Sequence, residues 1–274
     1  MEGLTGKPYQ GEVTVTMIRK CLVTIPAYGR NELTHAVLPD VLAESDLVDL
    51  LIIDNGGHYE TVADEWVERP GRNLGWAGAS NLGFRMAFRR GYEFALTLNN
   101  DTRLSPGFFA GLLDPRMPAD AGIIAPVYNG YWTVQASSYA GPVGQYEPLD
   151  YVRRVPMVDG TALMISAPAW EAVGGLDERS FGRFGWGADI DLSMRATAAG
   201  FGVYASERSY LDHAGMVSAT ESVGRQRYLF KAGVGMELAL GRLYGWSATR
   251  NLRKARPERI PLRTLDAAED DSRH

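Results

Sequence analysis

The chain has 274 residues, of which 45% are hydrophobic and 22% charged. This is ordinary globular composition, long enough for one large α/β domain or two small ones with a sizeable core. A net charge of -5 and a pI near 5.5 exclude a general nucleic-acid binder.

Residues 1–18 read as an N-terminal arm or short edge strand. The first thirteen residues lack the apolar run of a signal peptide, and no apolar run reaches the roughly 20 residues that span a bilayer. The expected location is therefore the cytoplasm. "CLVTIPAYGR" predicts a buried strand ending at Pro26, with the single cysteine, Cys21, packed as a small hydrophobe. "NELTHAVLPDVLAE" has helical spacing, with Pro39 a break or a bend. "LVDLLIIDNGG" predicts a second buried strand and "WVERP" a short third. "GRNLGWAGASNLGFRMAFRRG" starts as a Gly-rich loop and becomes a helix through Phe84, Met86 and Phe88; "YEFALTLNND" is the next strand. Alternating strand and helix over the first 115 residues imply βαβ units and a mostly parallel sheet.

The pattern changes after Pro115. Residues 123–166, rich in β-branched and aromatic side chains with turns between them, predict antiparallel strands or a hairpin packed on the first half. "RFGWGADIDLSMRATAAGF" reads as a loop entering a helix that stops near Gly200, and residues 221–245 read as helical. The division expected is 1–18 arm, 19–115 nucleotide-sugar-binding half, 116–220 acceptor half of the same domain, and 221–274 helical segment with a charged tail.

Each early strand ends in special or polar residues: Pro26-Ala27-Tyr28, Asp54-Asn55-Gly56 and Asn99-Asn100-Asp101. Asn and Asp make turns by bonding their own backbone. In a parallel sheet, however, these three ends share one edge, where open α/β sheets bind ligands. The small residues of "NLGWAGASN" permit close backbone approach, and the helix after them directs amides towards a phosphate. Asp189 and Asp191 are two apart and do not share a helix face. Asp191 has Arg195 four residues on, whereas Asp189 lies at the helix start after Gly185 and Gly187, able to face a cleft or to cap the helix.

The ordered set "TIPAYGRNE", "IIDNGG", "NLGWAGASNLG", "LNNDT", "DGTALMIS", "GGLDERSF", "GADIDLSMR" and "LDHAG", spanning about residues 20–215, resembles glycosyltransferase family 2. The resemblance implies the GT-A fold: a Rossmann-like α/β architecture with a mostly parallel central sheet, helices on both faces, and a smaller antiparallel acceptor-side sheet with C-terminal helices. It implies a nucleotide-diphosphate sugar donor, UDP or dTDP, and Mn2+ or Mg2+. Pro26, Ala27 and Tyr28 match the loop lining base and ribose, and Arg30 is placed to reach a phosphate. Asp54, with Asn55 beside it, matches the acid that bonds the base. Asn73 and Gly75 match nucleotide contacts. Asp101 matches the metal-binding Asp of the Asp-x-Asp motif, whose first position is Asn99 here. That leaves one carboxylate fewer, and Asn99 or Asn100 free for ribose or phosphate. His213 falls where a second metal ligand lies, with Asp212 as its neighbour. Asp189 matches the general base of an inverting transfer, and Ala188 replaces the Glu usual before it. Around the donor sugar and acceptor the resemblance brings Trp76, Asp159, Gly160, Trp186 and Gly187, with Tyr131, Trp132 and Tyr139 as further stacking candidates.

The partners implied are a nucleotide sugar and a glycan, lipid-linked glycan or protein acceptor, with no nucleic acid and no transmembrane span. Arg242, Arg250, Arg253, Lys254, Arg256, Arg259 and Arg263 make the C-terminal segment basic. It is either solvated or a contact for an anionic acceptor, a peripheral membrane surface or a second subunit. Two other functions fit the pattern less fully: a nucleotidyltransferase, for which "IPAYGRNE" is a poor basic loop, and a sugar-nucleotide-binding protein with a decayed site.

Overall fold

The structure is a computed structural model. It describes residues 20–130, 134–181, 185–213 and 225–262. The expected arm, Tyr131, Trp132 and Arg263 lie outside these residues.

Ten strands form one sheet: nine run in the order β10-β7-β9-β6-β8-β4-β1-β2-β3, and the tenth, β5, pairs with β9 off this path. Four come from the βαβ half: β1 (Cys21–Ala27), β2 (Val48–Asp54), β3 (Trp66–Glu68) and β4 (Phe94–Leu98). They pair in parallel. Side-chain alternation in these strands feeds two cores. On one face Leu22, Leu51, Ile53 and Ala95 join Phe84 of α2 (Gly75–Arg89) and Leu192 of α5 (Ala188–Ala198). On the other face Cys21, Val23, Ile25, Ile52 and Leu96 meet Val37 and Val41 of α1 (Asn31–Leu42) and Phe108 of α3 (Phe108–Leu112). Helices therefore cover both faces. Pro39 lies inside α1 without ending it. The Gly-rich stretch is more helical than expected, because α2 starts at Gly75 with φ +71°. Its small residues serve packing. A Cβ on Gly83 would lie 2.0 Å from Thr24 Oγ1, so α2 and β1 approach closely only because that position is glycine.

The second half supplies β6 (Ala121–Tyr128), β7 (Tyr151–Arg154), β8 (Ala162–Ser166) and β9 (Gly202–His213). Of the antiparallel strands expected here, β8 pairs so with β4 and β6, and β7 with β9, but β6 and β9 pair in parallel; through β8 and β4 all of them extend the same sheet. A short strand, β5 (Thr102–Leu104), pairs with the end of β9. The β6–β9 register jumps from Pro126↔Ser206 to Val127↔Tyr210, leaving Glu207–Ser209 as an irregularity in β9. Ser166 caps α4 (Ala167–Val173) by accepting from the Ala169 amide.

After residue 225 come α6 (Arg225–Tyr244), α7 (Trp246–Lys254) and β10 (Glu258–Pro261). Part of the charged tail expected within 221–274 is folded, as far as Pro261. Arg250 lies in α7 and β10 pairs antiparallel with β7, covering an otherwise open sheet edge. Among the described residues no helix is long and apolar enough to cross a membrane.

Candidate active site

Register places the three polar strand ends together. Ala27 of β1 stands opposite Asp54 of β2, and β4, on the other side of β1, ends at Leu98 just before Asn99. The Gly75 end of α2 is fastened to the same edge. Asn55 Nδ2 donates to the Gly75 carbonyl at 3.2 Å and Asn55 Oδ1 accepts from the Leu74 amide at 3.1 Å. Asn73 Oδ1 accepts from the Gly75 amide at 2.7 Å. Asp54 is buried. Its Oδ1 accepts from the amides of Gly56, Gly57 and His58, the shortest at 2.7 Å to Gly57, and its Oδ2 from Tyr59 at 3.1 Å. Arg69 Nε lies 3.4 Å from the same carboxylate. This is the turn-capping geometry for Asp54. Tyr28, beside Gly56, is 54% exposed at the open side of the edge, and Arg30 is exposed just before α1. Pro26 lies within β1 opposite Ile53.

Asn99 to Asp101 form the turn between β4 and β5. The Asn99 amide donates to the Thr161 carbonyl at 2.8 Å, and Asn100 is buried with its Nδ2 donating to Thr34 Oγ1 of α1 at 3.0 Å. Asp101 goes the other way. Thr102 pairs with His213, which brings Asp101 Oδ1 to 3.2 Å from His213 Nε2. Two ligands on one octahedral ion at about 2.1 Å each stand about 3 Å apart, so this pair fits two neighbouring positions on one cation. Among the described residues no group of three or more His, Cys, Asp and Glu side chains could hold a metal ion. Burial alone would lower the His213 pKa, but the hydrogen bond and charge of Asp101, with the charges of Asp159 and Asp212, raise it above the ordinary value. Asp212 itself is turned to Asn129.

Asp189 sits in the first turn of α5. Gly187, the residue before that helix, has φ +94°, and a Cβ there would lie 2.8 Å from Met236 and Phe181, so it turns the chain under a packed lid of side chains. Asp189 Oδ2 accepts from the Gly160 amide at 2.8 Å and Oδ1 from the Ile190 amide at 2.9 Å. Gly160 is needed here: a Cβ would fall 2.4 Å from the Trp76 ring, which lies over this turn. Burial first, and the Asp159 charge second, push the Asp189 carboxyl up to about 7 against the pull of those amides. Asp159 Oδ1 accepts from the Thr161 amide at 2.8 Å and from its hydroxyl, closing a turn. Trp186 is half-buried against the core cluster that includes α2 and α5. Tyr139 stacks edge-on with Tyr146 and Tyr210, both at 5.2 Å, inside a tyrosine cluster.

Asp191 is engaged elsewhere. It is 3% exposed, bonds Arg195 Nε at 2.9 Å across one helical turn, and accepts from the Tyr244 hydroxyl of α6. Arg195 also donates to the carbonyls of Val173 and Gly175. The group ties α5 to its neighbours.

Two supporting residues went unnoticed in the sequence. Asn129 holds Asp212 and accepts from the His213 amide at 2.9 Å; the Asn-Gly pair ending "APVYNG" is the only trace of it. Gln135, 1% exposed, accepts from the Asp159 amide at 2.7 Å and donates to the Pro126 carbonyl at 2.8 Å, and nothing in "TVQASS" signals it.

Two mycobacterial proteins, Uncharacterized protein Mb1552 of Mycobacterium bovis and Uncharacterized protein Rv1525 of Mycobacterium tuberculosis, are each 45% identical to this chain over 231 residues, which is 84% of this chain and 88% of each relative. The chain belongs to their family. No protein-family model matches the sequence. Among solved structures, GalNAc-T7 with UDP, GalNAc and Mn2+ superposes with a TM-score of 0.55 at 14% identity, covering 71% of this chain and 44% of that one. The chain thus spans less than half of the GalNAc-T7 chain it matches. The mannosyltransferase PcManGT from Pyrobaculum calidifontis, in complex with GDP-Man and Mn2+, superposes with a TM-score of 0.53 at 12% identity over 94% of this chain and 79% of that one. The chain therefore has the GT-A fold of these glycosyltransferases, as the ordered motifs imply.

Proposed function

We propose that the protein is an inverting glycosyltransferase of the family 2 type, which moves a hexosyl or deoxyhexosyl unit from a UDP- or dTDP-sugar to an acceptor hydroxyl. The acceptor is a glycan, a lipid-linked glycan or a protein. The observation that carries this reading is the placement of Asp189: its Oδ2 accepts from the Gly160 amide at 2.8 Å, and the neighbouring Thr161 carbonyl holds the Asn99 amide at 2.8 Å, two residues before Asp101 of the Asp101–His213 pair. A base and a cation-compatible pair joined through one short turn suit attack at one end of a sugar and departure at the other.

In this mechanism the donor's nucleotide lies along the edge formed by Ala27, Tyr28, Asn55 and Asn73. Asp189, ionised, takes the proton of the acceptor hydroxyl as its oxygen attacks the anomeric carbon. The bond to the diphosphate breaks on the opposite face, the electron pair leaves with the nucleotide diphosphate, and the configuration inverts. Asp101 and His213 would hold Mn2+ or Mg2+, which when bound neutralises charge on the leaving diphosphate. The Gly160 and Ile190 amides hold Asp189 in place, and no covalent sugar–protein intermediate is required.

The test is incubation of the protein with a panel of nucleotide sugars and Mn2+, with released nucleotide and transferred sugar followed by mass spectrometry. Release from one donor, lost in Asp189→Asn, is the expected result. Nucleotide-dependent thermal stabilisation without release from any donor would leave a binding protein, and pyrophosphate release from a nucleoside triphosphate would indicate a nucleotidyltransferase.

A further inference from the structure

The charge of the chain is unevenly placed. The protein carries a net charge of -5, yet residues 230–262 contain seven basic residues against two acidic ones, Glu237 and Glu258. Lys231, Arg242, Arg250, Lys254, Arg256 and Arg259 are all exposed. The same segment holds an apolar face. One side of α6 buries Ala232, Met236, Ala239 and Leu240. The other side carries Phe230, Val234 and Leu238 at helical spacing, 72%, 42% and 44% exposed. In α7, Trp246 is 58% exposed, with Arg250 and Lys254 four and eight residues further on, hence on its side of the helix. Of the nine large apolar side chains exposed among the described residues, five fall between 230 and 246.

We propose that the outer face of α6 and α7 is a docking surface for an anionic lipid bilayer. The aromatic and aliphatic side chains enter the headgroup boundary while the flanking lysines and arginines meet lipid phosphates, as amphipathic helices lying in a membrane interface do. Charge decides between occupants. A symmetric contact with a second copy would set this patch against itself and oppose like cations. A soluble anion would satisfy the cations and leave the apolar row in water. The bilayer matches both halves of the surface. Docking is also oriented: Met236, on the buried side of α6, packs against Gly187 at the start of α5, and Tyr244 bonds Asp191. The lipid face is thus the side of α6 turned away from α5, the helix that carries Asp189. The proposal does not depend on the transferase reading.

The experiment is vesicle co-sedimentation of the full chain, with phosphatidylcholine alone and with phosphatidylcholine containing one third phosphatidylglycerol. Binding to the anionic vesicles only, released by added salt, is expected. A cation next to an anionic bilayer contributes roughly a factor of five, so Arg250→Glu with Lys254→Glu should weaken binding at least ~25-fold by the same arithmetic. Phe230→Ser with Trp246→Ser should weaken binding while keeping the salt dependence. Both double variants alter exposed positions, and circular dichroism checks their fold. Absence of binding, equal binding to neutral vesicles, or binding unchanged in both double variants overturns the proposal. So does a concentration-dependent dimer in light scattering that Phe230→Ser abolishes, because the face would then belong to a second copy.

Discussion

The Gly160 amide donates to Asp189 Oδ2 at 2.8 Å and joins the turn before β8 to the first turn of α5. The candidate base is therefore positioned by backbone, under a tryptophan that only a glycine admits. Its placement follows from that junction, while its raised proton affinity comes from burial and the Asp159 charge against the pull of the amide.

Asp189→Asn separates chemistry from stability. With general-base catalysis worth about 10²–10⁴-fold, sugar transfer should fall by that order while nucleotide binding persists. The carboxyl holds its proton up to about 7 in the folded protein, but releases it near 4 when unfolded. The folded state binds more protons between those values, so wild-type stability falls as pH rises through that window and stays lowered above it. The variant lacks this loss. Melting curves at pH 5 and pH 8 should show its advantage over wild type larger at pH 8. Transfer by the wild type should rise with pH through about 7.

Asp191→Asn should do the reverse. It weakens the bonds to Arg195 and Tyr244 in a buried setting, where a poorly satisfied polar group costs roughly 1–3 kcal/mol. The melting temperature should drop by several degrees while transfer per folded molecule stays within a few-fold of wild type. Loss of transfer at unchanged stability would reverse the roles of the two aspartates.

Asp101→Ala and His213→Ala should each remove most of the thermal stabilisation that UDP with Mn2+ gives by ligand linkage. The two losses should not add, since both residues serve one contact at 3.2 Å. Differential scanning fluorimetry with and without Mn2+ checks this, and a full gain in either variant excludes that residue from the site.

Gly160→Ala places a methyl 2.4 Å from the Trp76 ring. Overpacking of this kind typically costs 1–3 kcal/mol. The expected signs are a lower melting temperature, altered tryptophan fluorescence and transfer reduced more than tenfold, because the shifted amide no longer holds Asp189.

The βαβ half was legible because its strands are continuous apolar runs that end in turn residues, and pairing in register made their ends coincide at Ala27, Asp54 and Asn99. Asp101 and His213 lie 112 residues apart, and the motif order brought them together where periodicity could not. The distinction between Asp189 and Asp191 was visible in the spacing of Arg195, but Tyr244, which makes Asp191 structural from the far side, is 53 residues away. Strand β10 was hidden because "ERIP" is half charged and gains its strand conformation from the open edge of β7. The helical start of "GWAGAS" was hidden for a related reason: glycine lowers helix propensity, and burial of Ala77 and Ala79 in the core, with Ser80 bonded to Thr97, offsets it.

The jump of register in β9 sets the phase of the strand's last turn of alternation. Three residues, Glu207 to Ser209, have no partner on β6 and are pinned from the side, Glu207 by the hydroxyls of Tyr146 and Tyr151 and Ser209 by the Phe108 carbonyl. Beyond them, His213 points to Asp101 and Asp212 points to Asn129. Shortening this knuckle by one residue would force the strand either to give up those anchors or to slide by one position. A slide exchanges the two faces, turning a carboxylate to where the imidazole now stands.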